Sequence, residues 1–147
     1  MQLADTSAWV WTRTVGGELR SVFDDAVISG EIATCEMVQL ELLYSARNAG
    51  EFVTLRSELD TLPNCPIGTE QWQRALHVYT RLAHEGGLHH RAVRHPDLLI
   101  AAAGEAAGVA VLHYDEDYDR IAAITGQQVR WLATRGSLGP TSHRPGR

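Results

Sequence analysis

Cysteine is scarce in this sequence: Cys35 and Cys65 are the only two in 147 residues. They stand far apart and outside any CxxC pair, which excludes a disulfide framework and a zinc site built on paired thiols. Both read as small buried thiols. Lysine is absent altogether, all 13 basic residues being arginine, a bias we attribute to genomic composition. Long apolar runs are absent too, since no window approaches the roughly 18–20 apolar residues of a membrane span. The opening MQLADTSAW has neither the basic end nor the apolar core of a signal peptide. The expectation is a cytoplasmic protein with no membrane association. Positive charge is in deficit, with 18 acidic residues giving a net charge of −5. That balance argues against a generic nucleic-acid binder, whose phosphate contacts come from a basic surface. No internal repeat and no interdomain linker is visible.

What is present is ordinary for a globular protein: 44% hydrophobic and 21% charged residues. The length fits one domain, large enough to bury roughly two thirds of its unfolded surface. Met1 to Ala4 reads as a short strand stopped by Asp5, with Thr6 and Ser7 able to cap the segment after it. Leu19, Val22, Phe23, Ala26 and Val27 mark one face of a helix from about Glu18 to Ile28. Glu31–Thr34 is a strand candidate, and helices come next over Glu36–Asn48 and residues 51–60. TLPNCPIG, broken by Pro63 and Pro66, is an edge strand or an extended connection. A long helix spans Thr69–Glu85, and the loop LHHRAVRH leads on. Val129–Leu132 is a last strand, and the Gly-, Pro- and Ser-rich segment from Gly136 lacks periodicity. The division expected is a domain over residues 1–133 and a disordered tail over 134–147. Helices alternating with short strands predict an α/β fold, a mainly parallel, short-stranded sheet with helices on both faces.

The chain is organised around HPDLLIAAAGEAAGVAVLHYDEDYDRIA, from His95 to Ala122. It reads as a helix opening at Pro96-Asp97, a close-packed Ala/Gly run, a buried strand Val109–His113 and a second helix beginning with Asp115. Asp97 belongs in a positive first turn. Asp115 and Asp5 both follow strands, at the sheet edge where open α/β folds bind ligands. On a helical wheel Glu36, Gln39 and Arg47 gather on a solvent side, while Glu41 points toward Met37, Val38 and Ser45. An inward carboxylate needs a partner. With few cations nearby in sequence, a metal shared with Asp5, Asp97 and Asp115 is the candidate, a hard Mg²⁺ or Mn²⁺ suited to oxygen ligands. Each acid also has a bland reading, as a cap, a turn residue or a solvated edge. Their combination in one α/β domain carries the inference.

ADTSAW, VQLELLYSARN and PDLLIAAAGEAAGVAVLHYDEDYDRIA together resemble a PIN-domain ribonuclease of the VapC toxin type. The resemblance runs from Met1 to about Ala133. It implies a quartet of acids that binds Mg²⁺ or Mn²⁺ and hydrolyses RNA, leaving a 5′-phosphate; by motif position these are Asp5, Glu41, Asp97 and Asp115. Asp117 matches a further acid of the family, not always a direct ligand, and Thr6 a hydroxyl that supports the site. Gln2 and Ala4 depart from the branched apolar residues usual in the first strand. The resemblance further implies a structured RNA target such as transfer or ribosomal RNA. A homodimer and a small antitoxin are also implied, the antitoxin's peptide entering the acidic groove and apolar faces over residues 36–60 forming the contacts. Arg91, Arg94 and His95 are candidates for phosphate contacts. His89, His90 and His113 lack ligand spacing, and Trp9, Trp11 and Trp72 read as core or interface.

Two other classes are distinguishable. A non-catalytic RNA- or protein-binding module of this fold would lack some of the acids. An aspartyl-phosphate phosphohydrolase would carry an acid two residues after Asp5, where Ser7 stands.

Overall fold

The structure, a computed structural model, describes residues 1–142. Its elements are β1 (Gln2–Ala4), α1 (Thr6–Val15), α2 (Gly17–Ile28), β2 (Ile32–Ala33), α3 (Glu36–Leu43) and α4 (Ala49–Leu59). They continue with α5 (Thr69–His84), α6 (His89–Ala92), α7 (His95–Ala107), β3 (Ala110–His113), α8 (Asp117–Thr125) and β4 (Val129–Trp131). The four strands form one parallel sheet in the order β2-β1-β3-β4. Side chains alternate across it as the strand period of two requires. Leu3, Ala33 and Val111 enter the larger core with residues of α3, α5, α7 and α8, while Ala4, Ile32 and Leu112 meet Ala8 and Phe23 of α1 and α2. The small Ala4 is therefore a packing choice: it is fully buried between sheet and helices.

Pairing fixes the site's edge. Leu3 lies opposite Val111 and Ala4 opposite Leu112, so the residues that come after β1 and β3 leave the sheet side by side. The Asp5 N–H continues the ladder to the Leu112 carbonyl at 2.9 Å. Helix α7 is buried along Asp97–Gly104, apolar nearly all round as a core helix must be. It closes at Gly108, whose φ of +69° turns the chain straight back into β3. Because α7 and β3 run in opposite senses, the first turn of the helix, with Asp97, reaches the edge where β3 ends. The Ala/Gly run lets the helix press on the sheet: a Cβ added at Gly104 would stand 2.8 Å from Val111 Cγ2.

Several boundaries differ from expectation, each for a local reason. Helix α1 was not expected; its N-cap is Asp5, whose side chain accepts from Ser7 N–H, rather than Thr6 or Ser7. Helix α3 ends at Leu43 instead of Asn48, because the Asn48 side chain caps α4 by accepting from Glu51 N–H at 2.9 Å. Gln39 is buried, not on a solvent face, since α3 is flanked by α1, α4 and α7. The loop before α7 contains the short α6. Helix α8 starts at Asp117 instead of Asp115, which stands before it and accepts from Asp117 N–H. TLPNCPIG is an extended connection touching the sheet only at the Thr34–Asn64 bridge. The tail expected to lack structure is fixed as far as it is described: the Tyr114 hydroxyl and Glu116 bind residues 138–141. Residues 143–147 lie outside the described residues. Cys35 and Cys65 are buried free thiols, and burial pushes the Cys35 thiol up to about 12.

Candidate active site

The carboxyl ends of β1 and β3, the first turn of α7 and the inner side of α3 enclose a cleft of about 530 Å³. That volume is within the roughly 300–1,000 Å³ of ligand pockets. Asp5, Glu41, Asp97 and Asp115 all line it, with Thr6 and Arg94. Asp117 is fully buried, yet one carboxylate oxygen from each of Asp97, Asp115 and Asp117 lies within 4.8 Å of the others. These three form the tightest acidic group among the described residues. Asp5 and Glu41 line the same cleft outside that group.

Each acid is held differently. Asp5 accepts from Ser7 N–H at 3.0 Å, Ser7 Oγ at 2.5 Å and the Tyr118 hydroxyl at 2.5 Å. Glu41 accepts from Thr6 Oγ1 at 2.8 Å and pairs with Arg94 Nη2 at 2.6 Å. Asp115 takes the Asp117 N–H at 2.9 Å, although the N-cap position of α8 itself is Glu116. Asp117 pairs with Arg120 at 2.9 Å and faces the Arg94 N–H at 3.4 Å. Asp97 contrasts with them, because its Oδ2 is buried and accepts no hydrogen bond among the described residues. Burial, reinforced by the charges of Asp5 and Asp115, holds the Asp97 carboxyl well above the ordinary carboxylate range. Burial raises Asp5 as well. It raises Asp115 to about 7. Asp5, Asp97 and Asp115 share too little positive charge to ionise together.

Few cations stand near Glu41 in sequence, yet it has one in space. Arg94 supplies one from 53 residues away, because α7 lays its N-cap beside α3. Arg94 is consequently tied to a carboxylate at the cleft and also lines a shallow second pocket with Arg91 and His95. His95 is exposed, its ring 5.3 Å from that of Tyr79. His113 is fully buried against Tyr118 and Trp131, and burial lowers it to about 4. Trp9 packs on the core, whereas Trp72 is 57% exposed. Trp11 lines the acidic cleft. Sequence reasoning also missed the hydroxyl partners Ser7 and Tyr118. The signal available for Tyr118 is general, since a buried tyrosine hydroxyl has to find a partner.

An all-oxygen donor set with one orphaned carboxylate oxygen suits a hard divalent cation, and Asp97, Asp115 and Asp117 are spaced to share it. Acids thus gather at the carboxyl edge of a short parallel sheet, carried by a buried helix and two strand ends. The chain belongs to the PIN-domain family, whose model matches residues 3–124. Its similarities are to VapC ribonucleases. It is 47% identical over 134 residues to ribonuclease VapC18 of Mycobacterium tuberculosis, covering 91% of this chain and 96% of that one. It is 55% identical over 136 residues to ribonuclease VapC2 of the same species, covering 90% and 93%. Among solved structures, DNA-bound VapBC from Salmonella typhimurium shares the fold, with a TM-score of 0.69 at 18% identity over 90% of this chain and 100% of that one.

Proposed function

We propose that this protein is an endoribonuclease toxin of the VapC kind, hydrolysing RNA phosphodiester bonds in the acidic cleft and held in check by a small antitoxin protein. The observation that carries the catalytic reading is the crowding of Asp97, Asp115 and Asp117 at the cleft, one carboxylate oxygen of each lying within 4.8 Å of the others, where Asp97 Oδ2 accepts no hydrogen bond among the described residues.

Asp97 and Asp115 would hold a Mg²⁺ or Mn²⁺, with Asp5 beside them and Asp117 from behind. Such a cation, when bound, supplies Lewis-acid charge for the phosphoryl oxygens and activates water for attack. The chain's own residues prepare this. Ser7 and Tyr118 aim Asp5 at the cleft by holding both its oxygens. Thr6 and Arg94 fix Glu41 at the opening, so that Glu41 orients groups in the cleft as a carboxylate already balanced by a cation. Arg91, Arg94 and His95, which line the shallow pocket beside the cleft, are the residues we assign to contacts with the RNA backbone. A structured RNA such as transfer or ribosomal RNA is the substrate class.

The exposed apolar residues Leu40 (63%), Phe52 (45%) and Val53 (63%) on α3 and α4 are the surface we assign to a second copy and to the antitoxin. Among the described residues no helix is long and apolar enough to cross a membrane, which agrees with a cytoplasmic site of action. Purified protein is expected to cleave RNA only with Mg²⁺ or Mn²⁺, and Asp5→Asn or Glu41→Gln to remove the activity. Full cleavage in excess chelator would overturn the reading.

A further inference from the structure

The acids account for only part of the cleft. Away from the acids and Arg94, the described lining has an uncharged side: Val10, Trp11 and Thr14 of α1, and Pro140, Thr141 and Ser142 after β4. That second segment is built in. Tyr114 donates its hydroxyl to the Gly139 carbonyl at 2.8 Å and accepts from the N–H groups of Leu138 and Gly139 at 3.0 and 3.2 Å. Glu116 accepts from Thr141 Oγ1 at 3.0 Å, while its own N–H donates to the Thr141 carbonyl at 3.0 Å. The same carboxylate is gripped by Arg135 at 2.7 Å and Arg120 at 3.2 Å. Gly139 lies flat on Trp11, where an added Cβ would stand 2.6 Å from Cη2. The two anchors, Tyr114 and Glu116, are the residues on either side of Asp115, so one tripeptide sets both an acid of the site and the wall beside it.

We propose that Trp11 and Pro140–Ser142 form a nucleoside subsite, the wall that seats the base and ribose next to the scissile phosphate, with Glu116 as the positioning residue that clasps it. This rests on the ribonuclease reading. The chemistry of the wall selects that part of the substrate. Among the described residues it carries no cation for a second phosphate, its indole and proline offer the apolar contact on which unpaired bases lie, and its hydroxyls can meet ribose hydroxyls. Crowded carboxylates at the other part of the cleft leave the phosphate to the metal end. The clasp therefore governs how RNA is held more than how fast the bond breaks.

Thr141→Val removes the hydroxyl donated to Glu116 and keeps the shape; Thr141→Ser restores it; Gly139→Ala pushes against Trp11. With a fluorophore–quencher oligoribonucleotide and Mn²⁺, Thr141→Val and Gly139→Ala should raise KM roughly three- to tenfold, the scale of one lost hydrogen bond. The change in kcat should be smaller, Thr141→Ser should return KM to the wild-type value, and the preferred cleavage position in a long RNA should shift. Thermal unfolding confirms that each variant is folded. Fluorescence anisotropy of the same oligoribonucleotide, read in the inactive Asp97→Asn background, should show the same weakening. Unchanged KM, cleavage pattern and anisotropy, or equal loss in KM and kcat with no rescue by serine, would overturn the subsite while leaving the ribonuclease standing. A wild-type protein that hydrolyses no RNA would overturn the ribonuclease instead, and anisotropy alone would then decide the wall.

Discussion

Helix α7 obeys opposite rules at its two ends. Beyond its first turn, Ile100 to Gly104 are buried, and a Cβ added at Gly104 would stand 2.8 Å from Val111 Cγ2 and 3.5 Å from Leu3 Cδ2. Its first turn carries Asp97 into a gathering of carboxylates where one oxygen has no partner. The first arrangement is what stability asks for and the second is what stability would remove. One tightly packed helix thus holds a carboxyl group in a place where burial and the neighbouring carboxylates disfavour its charge. Substitutions at the two ends should therefore differ in sign as well as in size.

The largest effect belongs to the acidic end. Asp97→Asn and Asp5→Asn should each lower RNA cleavage by on the order of a hundredfold or more, as expected when several kcal/mol of metal-supplied stabilisation is lost. Chelator should do the same to the wild type. Steady-state cleavage measures both, and a variant retaining most of its activity would remove that acid from the site. At the packed end, Gly104→Val should destabilise by about 2–3 kcal/mol through overpacking against Val111. Urea unfolding reads this, and the folded fraction should keep wild-type cleavage. Loss of activity without loss of stability would mean that the two ends are not separable as described.

Smaller again is Tyr118→Phe. It deletes the hydroxyl that holds Asp5 Oδ1 at 2.5 Å and should cost about 1 kcal/mol. Isothermal titration should also show weaker Mn²⁺ binding, because Asp5 would no longer be aimed. A variant with wild-type metal affinity would make Tyr118 a core residue only.

The part of this contrast that could be read in the sequence is the part encoded locally. Pro96, the Ala/Gly run, Gly108 and the apolar VAVL segment mark helix, close packing, turn and strand in one continuous stretch, and they place Asp97 and Asp115 before any contact is known. Helix α1 was not legible, because Thr6–Val15 mixes β-branched and aromatic residues without a clear apolar stripe and depends on the Asp5 cap. Gln39 was misplaced because a wheel shows one helix and not the three that flank it. The Arg94–Glu41 pair spans 53 residues, and the clasp of the C-terminal segment joins Glu116 to Thr141. Neither has a spacing rule. Long-range polar pairing is where a single sequence is silent, and at this site such pairing decides which acid is compensated and which is not.

Protonation offers the finest probe. Asp115, raised by burial from 3.8 to about 7 in the absence of metal, contributes stability that is fully present below pH 3.8 and lost as pH rises through 7. Asp97, also raised, acts in the same direction. His113, lowered by burial from 6.5 to about 4, acts in the opposite direction, its contribution being present above pH 6.5 and lost as pH falls through 4. Subtracting the Asp97→Asn curve from the wild type cancels His113. The difference that remains should grow with pH between about 4 and 8 in chelator, reaching on the order of 1 kcal/mol or more.

The most direct measurement is the melting temperature of wild type and Asp97→Asn at pH 8, each in chelator and in Mg²⁺. If the acids crowd one metal site, Asp97→Asn melts higher than wild type in chelator, because a repelling charge is gone. It then gains less from Mg²⁺, since stabilisation by a ligand tracks its affinity for the native state. If Asp97 were only a favourable charge in a helix first turn, the variant would melt lower by the loss of roughly 0.3–1 kcal/mol and respond to Mg²⁺ as wild type does. That second result would contradict a shared carboxylate site at the edge of this sheet.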